Sequence, residues 1–148
     1  MREYRIGLIL SAVVFILLLS VNTQFYHNVM PLSAPITLLT LHVMIYRYLI
    51  PEKRYGVYFF FVLMVGVSII FSLPKYTHQQ AQEQILVTYG LDMELTIQEN
   101  LPLDRNEAWN PFAPNWGYAF LGTVPSVEEE HTSLLFIPDT GRIFEITP

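Results

Sequence analysis

No aspartate, glutamate, lysine or arginine occurs between Arg5 and Arg47, and none between Arg54 and Lys75. Charge-free runs of this length are incompatible with an ordinary soluble fold, whose helices keep a polar face toward water. With 52% hydrophobic and 14% charged residues, the chain reads as a membrane protein and not as a soluble enzyme. The charges that remain are segregated. Before Lys75 there are five basic and two acidic residues, whereas from Lys75 onward three basic residues face eleven acidic ones. That acidic half argues against nucleic acid as a partner. There is no cysteine, which excludes disulfides and thiolate metal sites.

The apolar runs divide into three spans, at about 6–23, 33–50 and 55–73, and residues 1–74 form the membrane region. The first, "MREYRIGLILSAVVFILLLSVNTQ", opens like a signal peptide but lacks a small-x-small site after Ser20, so it reads as an uncleaved anchor. The second begins among Pro31 and Pro35 and carries Arg47 near its end, placed to snorkel. The third, Tyr55 to Leu73, is wholly uncharged. Arg2 and Arg5, and then Arg47, Lys53 and Arg54, mark the two cytoplasmic ends, because lysine and arginine are retained on that side of short loops. A two-span version would export the second cluster. Three crossings put the N-terminus inside and residues 75–148 outside, as a multi-pass protein of the cell membrane with the lipid bilayer as its first partner.

Inside the spans His42 is the one readily titratable side chain, and Tyr46, four residues on, shares its face. The pair suits a proton relay or ligand contact, and equally an imidazole hydrogen-bonded to neighbouring helices. Ser68 and Ser72, with Gly66, make a small-residue face suited to bundling or to a homo-oligomer.

Residues 75–148 have a different pattern. Thr77 can cap a helix in which Ala81, Ile85 and Tyr89 recur every four residues until Gly90 stops it. "LDMELTIQE" then alternates, with Leu91, Met93, Leu95 and Ile97 on one face. Tyr118, Phe120, Gly122 and Val124 alternate again, and "TSLLFIPDTGRIFEI" reads as two strands joined by a turn through Asp139, Thr140 and Gly141. The expected fold class is therefore three transmembrane helices plus a small α+β domain, one helix packed on an antiparallel sheet of three to four strands. The single preceding helix is the only element expected to cover that sheet.

The helix "THQQAQEQILVTYG", the alternating strands and the terminal hairpin "LLFIPDTGRIFEI" resemble the PepSY domain, over roughly Tyr76 to Ile146. The resemblance implies an extracytoplasmic module without catalytic residues that restrains or localises peptidases or other envelope proteins. The stretch Asn100 to Trp116 is longer and more aromatic than that pattern expects.

Within it, "WNPFAPNWGY" concentrates Trp109, Phe112, Trp116 and Tyr118. Three roles fit: a lid completing the core, insertion at the lipid headgroups, or anchoring a protein partner. "VEEEHT" (127–132) reads as a solvated acidic loop, since successive glutamates in an extended segment point to alternate sides. His78 and His131 stand in no zinc-binding spacing, and Ser126 and Ser133 in no nucleophile context. No catalytic residue, cofactor or metal is expected. The sequence reads as a membrane-anchored interaction module for an envelope or membrane protein, in the manner of a bacterial cell envelope. The alternative is an accessory or sensor subunit of a membrane transport or signalling complex acting through its helices.

Overall fold

A computed structural model describes residues 2–90, 93–103, 110–123 and 131–146. It is a small α+β protein with four helices and one antiparallel sheet. Helix α1 (Arg2–Tyr26) runs to α2 (Ser33–Leu49), α3 (Tyr55–Phe71) and α4 (His78–Tyr89). Strands β1 (Glu94–Ile97), β2 (Leu101–Pro102), β3 (Trp116–Thr123), β4 (His131–Phe136) and β5 (Ile143–Ile146) follow.

Among the described residues α1 is the one helix long and apolar enough to cross a bilayer by itself. It outruns the expected boundary at residue 23. Thr23 turns its hydroxyl back to the Leu19 carbonyl, and the helix stops only where His27 and Asn28 take left-handed φ values of 45° and 65°. Helices α2 and α3 have 17 residues each, about 25 Å at ~1.5 Å per residue, which is short of the ~30 Å hydrocarbon core. The three expected full-length spans are thus one long helix and two shorter ones. Leu18, Met30, Leu39 and Val65 form the seam among them. Gly7 lets α2 come close, because a Cβ there would lie 2.9 Å from the Tyr46 ring.

Thr77 accepts a bond from the Gln80 amide while the Gln80 side chain accepts from the Thr77 amide, a reciprocal cap that starts α4. Gly90, at φ 122°, ends it. The sheet order is β1-β3-β4-β5, with β2 pairing the start of β3 beside β1. Five strands arise where three to four were expected, because the segment after Ile97 leaves the ladder and returns at Leu101 opposite Gly117.

Register assigns the faces. Tyr118, Phe136 and Ile143 lie across from one another and point toward α4, as do Phe120 and Leu134. His78, Ala81 and Ile85 of α4 cover this face, but they do not cover it alone. Val29, from the α1–α2 connector, is 1% exposed and belongs to the same core. That corrects the expectation of a single covering helix. A twelve-residue helix leaves part of the sheet open, and the uncharged connector is the apolar surface near enough to fill it.

Candidate functional site

Two places combine polar chemistry with burial, and both join segments distant in sequence. The first is the junction between the connector and the α+β unit. His27 and His78 stack with ring centroids 3.9 Å apart. The His78 ring also meets Tyr118 edge-on at 5.2 Å and Phe120 at 5.0 Å. Burial, and then the proximity of His27, push the His78 imidazole down to about 4. The Asn100 side-chain amide donates to the His27 carbonyl. Asn22 accepts from the Met30 amide at 3.0 Å, folding the connector against α1. The segment is therefore pinned on both sides.

The second place lies within the helices. Ser11 Oγ is 2.8 Å from His42 Nδ1, and Tyr58 Oη is 2.9 Å from His42 Nε2, so one imidazole bridges α1, α2 and α3. Tyr46 packs edge-on against Tyr58 at 5.6 Å, and Phe61 stacks on His42 at 6.3 Å. The His42–Tyr46 pairing expected on one face is present as a ring contact at 6.0 Å, and the hydrogen bonds go elsewhere. Beside this cluster is a cavity of about 270 Å³.

The aromatic stretch is split in use. Trp109 lies outside the described residues. Phe112 is half-buried, with its ring 6.1 Å from that of Phe71 at the last turn of α3. Trp116 is 45% exposed, and Tyr118 is fully buried. Tyr118 therefore belongs to the core and offers no surface to a partner, since strand alternation turns it toward α4. Its hydroxyl donates to the Tyr76 carbonyl at 3.3 Å, and burial followed by Tyr26 raises its pKa. Of the turn residues, Gly141 takes φ 70° with the Tyr76 ring against it, and its amide donates to Ile137 O. The Thr140 hydroxyl accepts from Arg142 N, and Asp139 is half-buried in the same turn. Ser68 and Ser72 are buried inside the chain, whereas Gly66, also of that small-residue face, borders the cavity beside His42. The acidic run 127–130 lies outside the described residues. Among those described, no group of three His, Asp or Glu side chains could hold a metal ion.

The face of the sheet turned away from α4 is unlike the usual solvated side. Ala119, Leu135 and Phe144 form one cross-strand row, and Leu121, Ser133 and Ile146 the next. Phe144 is 46% exposed and Leu121, Leu135 and Ile146 are half-buried, whereas Ala119 is buried and Leu103 comes close to the face at Gly117. An antiparallel sheet normally presents polar side chains there.

Sequence reasoning missed His27, Val29 and Asn100 at the junction, and Ser11 and Tyr58 in the helices. The one available signal was an uncharged connector carrying a histidine and asparagines between two apolar helices. Comparison with known protein families, with curated proteins and with solved structures finds no match to this chain.

Proposed function

We propose that this protein is a three-span membrane protein that holds its α+β unit on the extracytoplasmic surface as a protein-binding module. The observation that carries the binding role is the apolar face of Leu121, Leu135, Phe144 and Ile146, left without a covering helix. Phe144 stands exposed at the edge of this face beside half-buried Leu121, Leu135 and Ile146, and apolar surface of this kind supports an interaction site.

The topology is supported by an argument from parity. The connector after α1 packs into the α+β unit through Val29, so both lie on one side of any membrane the chain spans. Between them run α2 and α3, which must then both cross or both stay out. With α1 crossing, both crossing gives three spans and leaves Arg5, Arg47, Lys53 and Arg54 together on the opposite, cytoplasmic side. The shortness of α2 and α3 is met by local thinning and by snorkelling of the flanking basic residues. The contact of Phe112 with Phe71, at the last turn of α3, supports a position for Phe112 near the membrane surface in this arrangement.

On the PepSY resemblance, the partner class is an envelope peptidase or a cell-wall enzyme. The mechanism is positional: anchoring raises the local concentration of module and partner, and no bond is made or broken. A photocrosslinking residue at position 144, in intact cells, should capture a recurrent protein, and Leu135→Lys should abolish that capture. Capture of lipid alone, or capture indifferent to Leu135→Lys, would overturn the proposal. One observation favours the alternative of a helix-borne accessory or sensor role, namely the Ser11–His42–Tyr58 bridge. His42→Phe distinguishes the two, because the binding account expects capture at position 144 to survive it.

A further inference from the structure

The cavity beside His42 is lined by Ser11, His42 and Tyr58 at one end, and by Leu39, Val65 and Ile69 further along. Its wall on α3 extends from Tyr58 to Ile69, about 16 Å at ~1.5 Å per residue. A volume of about 270 Å³ spread over that length is narrow. An extended hydrocarbon chain fits along that length, and the volume lies below the ~300–1,000 Å³ of pockets for drug-sized ligands.

The polar end holds a surplus donor. Two hydroxyls and one neutral imidazole carry three hydrogens, and the two bonds to His42 consume two of them. If the ring donates through Nε2, the spare hydrogen is on Tyr58; if through Nδ1, it is on Ser11. Among the described residues neither hydroxyl has a further acceptor, so an acceptor entering the cavity completes the set.

Position along the helix adds charge to this chemistry. Tyr58 stands one turn inside α3, and side chains lean toward the N-terminus of their helix, here the end that carries Lys53 and Arg54. Lys53 and Arg54 stand just before the first turn of α3, and Arg54 pairs with Glu52 through Nε at 3.0 Å, which leaves its other guanidinium hydrogens and the Lys53 ammonium for an anion. Going from that end inward, a molecule would meet cations, then a hydroxyl donor, then a narrow apolar slot. That order matches phosphate, ester carbonyl and acyl chain.

We propose that the groove among α1, α2 and α3 is a site for one anionic phospholipid, its acyl chain in the slot, an ester carbonyl on the Ser11–His42–Tyr58 cluster and its phosphate toward Lys53 and Arg54. This rests on the three-span reading and is separate from the binding role of the sheet. Gly66 gives a clean probe, since it borders the cavity and a Cβ there meets nothing within 4 Å. A larger side chain at that position starts into open space and occupies part of the slot.

The full-length protein is reconstituted in vesicles of phosphatidylglycerol or of phosphatidylcholine, transferred to detergent and weighed by native mass spectrometry. The wild type should keep one phosphatidylglycerol, preferred over phosphatidylcholine by roughly tenfold. Gly66→Leu should lower retention about tenfold or more, and Val62→Phe, one turn earlier on the same α3 wall, serves if Gly66→Leu fails to assemble. Lys53→Gln with Arg54→Gln should bring the two lipids to near parity. Retention unchanged by both cavity-filling variants, equal retention of the two lipids by the wild type, or no retained lipid would overturn the site. Release of the chain from membranes by alkaline carbonate would instead overturn the membrane reading itself.

Discussion

His27 and His78 stack face to face at 3.9 Å, joining the segment between the first two helices to the first helix of the α+β unit. The His78 ring is buried in this stack, and a charge on it would lose its hydration, so the neutral imidazole is favoured there. The junction is therefore sensitive to acid.

The His78 imidazole has an ordinary pKa of 6.5 and is held at about 4 in the fold. The unfolded chain binds the proton more tightly, so the native state has its full stability above pH 6.5 and loses it as pH falls from 6.5 toward 4. The whole shift corresponds to about 3 kcal/mol at ~1.4 kcal/mol per unit, and residual solvent contact lowers this to roughly 2 kcal/mol. Protection of the α4 amides, taken relative to the intrinsic exchange rate at each pH, should fall between pH 7 and pH 4.5, and His78→Phe should flatten that dependence. An unchanged pH profile in the variant would locate the sensitivity elsewhere.

Val29 couples the two halves by packing. Val29→Ala should destabilise the α+β unit by about 1–2 kcal/mol, and Val29→Asp by more, because a carboxylate would be buried without a partner. Limited proteolysis of the region after Lys75 reads this directly. If neither change speeds cleavage, the connector is not part of that core.

The reciprocal cap at the start of α4 should be worth about 1 kcal/mol. Thr77→Ala should lower the thermal midpoint of the unit, and Thr77→Ser should restore most of the loss. Equal midpoints for the alanine and serine variants would show that the hydroxyl bond contributes nothing.

Two glycines in the helices should respond in opposite ways. A Cβ at position 7 meets the Tyr46 ring at 2.9 Å, so Gly7→Val should cost about 1–3 kcal/mol by forcing α1 from α2. A Cβ at position 66 meets nothing, so Gly66→Ala should stabilise α3 by up to about 1 kcal/mol. Thermal denaturation in detergent, followed by circular dichroism, compares them.

What was legible in the sequence follows from the range of each interaction. The cap of Thr77, the stripe of Ala81 and Ile85, the stop at Gly90 and the left-handed Gly141 are local, and a reader of ten residues can find them. The positions of α2 and α3 were also readable within about two residues, because Pro51 and Pro74 bound them. The length of α1 beyond Thr23 was not, since no proline or glycine ends it. Packing of Val29 into a sheet some ninety residues away has no local signature, and its apolar neighbours read as part of a membrane connector. Likewise His42 stands out on its own helix, but Ser11 and Tyr58 do not, and only their juxtaposition with it makes a cluster. Tyr118 was grouped with the exposed aromatics because it adjoins them in sequence, whereas strand alternation separates it from that surface.

The proposed placement of the connector and the α+β unit on one side of the membrane, with the basic turn on the other, is open to direct test because the chain has no cysteine of its own. Single cysteines at Gln24, Glu52 and Thr140, all exposed positions, can be treated in intact cells with a maleimide that does not cross membranes. Labelling at positions 24 and 140 without permeabilisation, and at position 52 only after it, is the expected result. Labelling of position 52 together with either of the others in intact cells, or of positions 24 and 140 under different conditions, would contradict the three-span arrangement.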